Sequence, residues 1–500
     1  MNHLAQNLID TAAKHPDRTA LKLDDLQLTY QDLLASATTI AETLHGLGLQ
    51  AGDRVALVLP NVPSYAVAFY GAQIADLIVV PINPLCKARE ISYFLQDSGA
   101  QLVFAHCGET ADQVRAAAGD VIIWECEDGA PARLEATERV RNTESEFFPA
   151  GTRILDDTAV LLYTSGTTGK PKGAELTYRN LTTNARTTAE YITVINENDV
   201  ILGCLPLFHS FGLSCVLNAA IYRGACVTLI PRFEARRALE IMKRDQATVF
   251  AGVPTMYSAL VNCTDADRDV PTLRSCISGG ASLPVEVLHS FEAAFDCMIL
   301  EGYGLSETSP AASFNLPTAE RRPGTVGRAL PGVALRVIDA EGVELADGEI
   351  GEIVIRGENV MRGYWRRPKA TADAMTDDWF RTGDLGFRDR DGYFTIVDRK
   401  KDMIIRGGYN VYPREVEEVL YEHPDVVEAA VVGIPHPDLG QEVAAAVSLR
   451  PGSTATPEDL QATVRDALAA YKYPRSVWIL DSLPKGPTGK ILRREILPQS

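Results

Sequence analysis

Apolar and polar positions along this 500-residue chain follow two rhythms, and the change from one to the other divides it. Up to about residue 324, short continuous apolar runs at 55–59, 77–81, 159–162, 225–230 and 248–251 predict buried strands. Helical spacing separates several of them, at about 64–75, 177–188 and 235–244. A short strand at 26–30 leads into a helix that Thr29 and Asp32 would cap and that Gly46 and Gly48 would end. Strands and helices in such succession predict parallel sheets covered by helices. The runs 274–281 and 298–308 pass from strand into polar, glycine-bearing turns, where parallel sheets place ligands. Residues 109–152 are acidic and predict only irregular structure.

From about Gly324 the pattern tightens to strict alternation, as at 352–356 and 393–397, which predicts an antiparallel subdomain. A charged break follows at 398–402. Beyond it, Pro413 opens a helix whose first turns carry Glu415, Glu417 and Glu418 and whose inner face carries Val416, Val419 and Leu420. A strand at 428–432 and a helix capped by Thr456, with Pro457 at its first position, complete a small α+β unit.

Composition narrows the partners more than the fold. The formal net charge of −18 argues against nucleic acid or an anionic membrane as the main partner. Nine scattered cysteines without a C-x-x-C pair, and no signal peptide, predict a cytoplasmic protein. Cys204, Cys215 and Cys226 sit in apolar sequence and predict core filling. Eight histidines show no metal-binding spacing. The uncharged stretch 200–222 is broken by Pro206, His209, Gly212 and Asn218, so no membrane span is expected.

Candidate chemistry begins with residues 163–173, YTSGTTGKPKG, directly after the apolar run 159–162. Gly166, Gly169 and Gly173 allow a tight turn whose amides approach an anion. Ser165, Thr167 and Thr168 add hydroxyl donors, and Lys170 and Lys172 add charge. The inventory suits a polyphosphate, but the glycine spacing and Pro171 exclude a Walker loop. Glu307 is a lone carboxylate at a glycine-rich turn, suited to Mg²⁺ shared with phosphate oxygens, and Thr308 beside it could donate to a phosphate. Tyr303 could stack on a base, and Gly279, Gly280 and Ala281 are small enough for close backbone approach. Asp384 offers two acceptors to ribose hydroxyls.

Taken with the motifs at 302–308, 382–384, 398–402 and 484–490, the loop at 163–173 resembles the adenylate-forming superfamily of acyl-CoA synthetases, peptide-synthetase adenylation domains and luciferases. The stretches 205–212 and 410–417 look most like fatty acyl-CoA synthetases. The resemblance covers nearly the whole chain. It implies an α/β fold with a large N-terminal domain at 1–398, made of two helix-covered, mainly parallel sheets and a β subdomain. A hinge at 399–402 and a small mobile α+β domain at 403–500 follow. It also implies two half-reactions on ATP, Mg²⁺ and CoA: a carboxylate displaces pyrophosphate from ATP to give acyl-AMP, then the CoA thiol displaces AMP.

The same resemblance distributes roles. Thr164, Ser165, Gly166, Thr167, Thr168, Gly169 and Lys172 are expected around the phosphates. Gly280, Ala281, Glu301, Gly302, Tyr303, Gly304, Asp384 and Arg399 are expected around the nucleoside. Lys490 is the implied mobile cation between carboxylate and α-phosphate, Lys401 the hinge, and His209 a gate on the carboxylate path. Gly407, Gly408, Lys472 and Arg475 are the implied CoA contacts.

His209 stands where amino-acid-activating relatives carry an aspartate, and Gly302 where dicarboxylate-using relatives carry an arginine, so both substrate classes are disfavoured. Gly212, Gly280 and Gly302 are expected to leave room for a long or flat apolar tail, while Leu213 replaces the tryptophan gate of some long-chain enzymes. The leading expectation is a medium- to long-chain fatty acid, with an aryl acid or transfer to a carrier protein as alternatives. The resemblance leaves room for peripheral membrane contact and for a homodimer.

Overall fold

Helix Pro63–Ile74 is apolar on every side, and the structure buries all twelve of its residues. Such a helix must be covered all round: helices Leu4–Lys14 and Tyr30–Gly46 and strands of both large sheets pack on it. The computed structural model describes residues 3–129, 153–164, 170–263 and 266–496. Gly71 lets this helix lie close to helix Tyr30–Gly46: a β-carbon there would come within 2.6 Å of the Ile40 side chain.

One sheet has seven strands, with Arg54–Val58, Ile78–Pro81, Leu102–His106 and Ile122–Cys126 parallel and Thr158–Thr164 parallel to Ile78–Pro81. Lys172–Thr177 turns back antiparallel to Thr158–Thr164. The other sheet has nine strands. At its centre Cys226–Leu229, Val200–Gly203, Val249–Gly252, Ser275–Ser278 and Ile299–Gly304 all run parallel. Both sheets are mainly parallel with antiparallel edges, as the strand–helix succession predicts.

The alternating segment forms an antiparallel sheet from Val333–Ile338, Gly351–Gly357, Met375–Thr376, Trp379–Arg388 and Phe394–Arg399. After it, Ile404–Arg406, Tyr409–Val411, Val426–His436, Gly440–Leu449 and Ser476–Ile479 form a separate sheet. Helices Pro413–Tyr421 and Pro457–Ala467 pack on it around Val416, Leu420, Val431, Val443, Leu460 and Val464.

The expected caps are present. Thr29 and Asp32 form a reciprocal capping box, as do Thr456 and Asp459. One local expectation fails. Residues 109–126 are not irregular: helix Glu109–Ala118 buries Ala111, Val114 and Ala118 at helical spacing between Gly108 and Gly119, and strand Ile122–Cys126 follows. Residues 130–152 lie outside the described residues. The stretch Phe211–Asn218 is a π-helix, buried throughout, that continues into helix Ala219–Arg223. Cys204, Cys215 and Cys226 are buried free thiols, as expected of core fillers. Among the described residues, no helix is long and apolar enough to cross a membrane.

Candidate active site

The C-terminal ends of both sheets open on one cavity of about 1300 Å³. A second cavity, of about 400 Å³, adjoins it. Gly302, Tyr303, Gly304, Arg399, Lys401 and Lys490 line both, so they mark the junction.

The small cavity has the features expected around a nucleoside. Its walls include Gly280, Ala281, Tyr303, Val326, Asp384, Ile396 and Arg399. The Tyr303 hydroxyl donates to Asp384 Oδ2 at 2.6 Å, and Arg399 Nε lies 3.1 Å from Asp384 Oδ1. Burial raises the Asp384 pKa, opposed mainly by Arg399. Both oxygens keep acceptor capacity beyond these partners. Gly280 has φ +80°, in the left-handed region that favours glycine. Glu301 is deeply buried, and its Oε1 accepts the Leu283 amide at 3.0 Å. Burial pushes its pKa up to about 7 against the pull of Arg414.

The large cavity divides by polarity. On one side, Glu307 Oε1 accepts from the Thr164 hydroxyl at 3.2 Å and the Tyr364 hydroxyl at 2.9 Å. Lys172 Nζ stands 5.0 Å from the Tyr364 ring centre, in cation–π contact. The expected phosphate-loop residues Ser165, Gly166, Thr167, Thr168 and Gly169 lie outside the described residues. Among the described residues, no group of three or more metal-ligating side chains occurs. A single carboxylate held only by neutral hydroxyls fits Mg²⁺, which takes one or two protein carboxylates and completes its shell with water and phosphate. Thr308 behaves differently from its expectation. Its hydroxyl donates within its own turn, to the carbonyls of Leu305 and Pro310, and accepts the Leu305 amide at 2.9 Å. That commitment caps the short Ser306–Thr308 helix and keeps the hydroxyl out of the cavity wall.

On the other side the wall is made by Leu205, Pro206, Phe208, His209, Ser210, Phe211, Cys215, Val253, Ala311 and Phe314. None of these carries a permanent charge. Burial, with a smaller push from Lys490, lowers the His209 pKa to about 4, so its ring is neutral at neutral pH. Two of the glycines expected to leave room for a substrate tail do not. A β-carbon at Gly302 would fall 2.2 Å from the Phe314 ring, and one at Gly212 would fall 2.3 Å from the Pro206 carbonyl oxygen. Protein atoms already fill that space. Only Gly280 faces near-open volume, with Val253 at 3.5 Å.

Lys490 reaches the junction on a small hairpin. Lys485 and Ile491 pair across it, the Gly486 amide donates to the Lys490 carbonyl at 2.8 Å, and Gly489 takes φ +82° at the bend. The Thr255 hydroxyl donates to the Gly489 carbonyl at 2.8 Å, tying the bend to the nine-stranded sheet's side. Burial, then Arg399, lowers the Lys490 pKa to about 8, while Asp384 opposes them.

The residues expected to meet CoA are not brought to either cavity. Gly407 and Gly408 lie in the turn between Ile404–Arg406 and Tyr409–Val411, with the Gly407 amide bound to the Leu439 carbonyl. Lys472 pairs with Glu415 at 2.6 Å, and Arg475 stacks 3.6 Å from the Tyr473 ring centre. Sequence reasoning misses Tyr364, Thr255 and Phe314. Tyr364 and Phe314 reach the motifs they complete through strand pairing, and Thr255 reaches Gly489 through a side-chain hydrogen bond between residues far apart in the chain.

Residues 8–365 match the AMP-binding enzyme family, and residues 415–490 match the AMP-binding enzyme C-terminal domain. A long-chain-fatty-acid–CoA ligase of Bacillus subtilis (strain 168) is 37% identical over 98% of this chain and 93% of its own length. A sulfoacetate–CoA ligase of Cupriavidus necator is 38% identical over 99% of this chain and 97% of its own. The crystal structure of ATP-bound MatB from Rhodopseudomonas palustris superposes with a TM-score of 0.90 at 35% identity, covering 99% of this chain and 98% of that one.

Proposed function

Since the chain belongs to the AMP-binding enzyme family and is an acid–thiol ligase, we propose that it joins a monocarboxylic acid with an uncharged apolar tail, of the medium- to long-chain fatty class, to CoA. ATP is cleaved to AMP and pyrophosphate. One observation carries the choice of acid: the cavity wall from Leu205 to Cys215, with Val253 and Phe314, holds no cation for a second anionic group. Desolvating a sulfonate, a second carboxylate or an ammonium there would cost several kcal/mol. The relative named for sulfoacetate therefore does not guide the substrate reading, whereas the one named for long-chain fatty acids agrees with it.

In the first half-reaction a carboxylate oxygen attacks the α-phosphorus and pyrophosphate departs with the electron pair of the broken bond. Charge grows on the non-bridging oxygens, so fixed donors matter more than a strong base. Lys490 supplies the cation at the junction where acid and nucleotide meet. Tyr303, Asp384 and Arg399 hold the nucleoside, and Thr164 and Lys172 face the phosphates. Glu307, with Thr164 beside it, would hold Mg²⁺, which neutralises phosphate charge when bound. In the second half-reaction the CoA thiol attacks the acyl carbon, its proton goes to solvent, and AMP leaves. Residues 1–398 act as the body, 399–402 as the hinge and 403–500 as a lid. Gly407, Gly408, Lys472 and Arg475 come into use only after the lid turns.

AMP release over a panel of acids tests the reading. Saturated acids of about eight to sixteen carbons should turn over with CoA, and sulfoacetate, malonate and amino acids should not. Preference for benzoate-type acids would move the assignment to an aryl ligase, and AMP release only with a carrier protein would change the acceptor. Turnover of a dianionic acid above all others would refute it.

A further inference from the structure

Both limbs of the Lys490 hairpin are anchored, but to different parts of the molecule. On the entry limb, Lys485 pairs with Glu428 at 2.5 Å and the Leu483 amide donates to the same carboxylate, all within the C-terminal sheet's unit. On the exit limb, three residues beyond Lys490, stands Arg493. Its Nη1 donates to Asp398 Oδ1 at 3.1 Å, and its Nη2 and Nε donate to the two Glu417 oxygens at 2.7 and 3.1 Å. Asp398 lies in strand Phe394–Arg399, ahead of the hinge, and Glu417 lies in helix Pro413–Tyr421, beyond it. The Asp398 carboxylate is buried, with 3% of its side chain exposed, and also accepts the amides of Arg399 and Arg414. One guanidinium therefore clasps residues on both sides of positions 399–402 while its own backbone carries the hairpin.

We infer that Arg493 is a positioning residue for Lys490: by bridging Asp398 and Glu417 it holds the hairpin in the orientation that serves adenylation, and it must release Asp398 before the thiol step. This rests on the reading of Lys490 under Proposed function. A planar guanidinium suits the role, since its fork bonds one carboxylate in two places and still reaches a second. The Glu417 bond joins residues beyond the hinge and can travel with the lid. The Asp398 bond crosses the hinge and cannot survive a large rotation about it. Asp402, 3.9 Å from Arg493, stands next to the same guanidinium and offers it a partner as it leaves.

The test separates the half-reactions in the full-length protein, using pyrophosphate exchange with a fatty acid and thioester formation from synthetic acyl-adenylate plus CoA. In Arg493→Gln, exchange should fall roughly ten- to a hundredfold, the loss expected for charge-assisted hydrogen bonds. Thioester formation from the adenylate should stay within about twofold of wild type or rise, because that step needs the clasp open. Arg493→Lys should recover part of the exchange. Should Arg493→Gln fail to give a cooperative melt, Glu417→Gln decides by the same ratio. Equal losses in both half-reactions, or an unchanged ratio, overturn the inference. A wild-type protein inactive in both half-reactions would instead overturn the ligase reading beneath it.

Discussion

Lys490 keeps its charge where charge is expensive, and its pKa of about 8 makes that cost measurable. Above that pH the free enzyme progressively loses the ammonium, so kcat/KM for pyrophosphate exchange should fall with a midpoint near 8. Lys490→Ala should lower exchange by roughly a hundred- to a thousandfold, the usual loss of about 3–4 kcal/mol for one such contact, and erase that limb. Thioester formation from preformed adenylate should largely survive. Lys490, Glu307 and Asp384 entered the sequence reading through short motifs shared with the resembled superfamily, and the structure brings all three to the cavity walls. Tyr364, which donates to Glu307, did not enter that reading, because it lies 57 residues away and reaches the carboxylate only through the pairing of Gly363–Tyr364 with Lys172–Thr177. The Thr308 hydroxyl reads the same in sequence whether it faces a ligand or closes a turn, and here it closes a turn.

At the scale of one element, strand Ile299–Gly304 carries a buried carboxylate through the middle of the molecule. Folded Glu301 keeps its proton up to about pH 7, whereas unfolded it would lose it near the model-peptide value of about 4.3. Across that window the folded state binds more protons, so this group's contribution to stability falls as pH rises, by on the order of 3 kcal/mol in all. Glu418 and Asp384, also raised by burial, act with the same sign. Buried His3 and His209, both held at about 4, act with the opposite sign over nearly the same window, so the difference between proteins is the readout: the urea midpoint of Glu301→Gln should gain on that of the wild type as pH rises from about 4.5 to 7, and a constant difference would remove this account. Elements with local punctuation were readable in advance: Thr29 with Asp32, Pro413, and Thr456 with Asp459. Helix Glu109–Ala118 was hidden because only Ala111, Val114 and Ala118 mark its inner face, and alanine is a weak apolar signal. The π-helix Phe211–Asn218 was hidden because a segment buried on all sides has no polar face to reveal a period.

At the scale of the whole molecule, the arrangement seen here presents Lys490 to the cavities and leaves Gly407, Gly408, Lys472 and Arg475 away from them. The proposed lid must therefore turn to use the second set. Proline at 401 would fix that residue's φ and restrict Lys400 before it. Lys401→Pro should keep pyrophosphate exchange, cut thioester formation by at least about tenfold and leave the melting profile unchanged. Full ligase turnover in that variant would remove the hinge.

Helix Pro63–Ile74 has a consequence for how the body can come apart. Its twelve residues pack on strands of both large sheets as well as on helix Tyr30–Gly46, so it works as a keel that neither sheet can give up alone. Loosening one sheet would strand an oily cylinder against solvent. The two halves of the body, though their strands belong to separate sheets, are thus bound to stand or fall together.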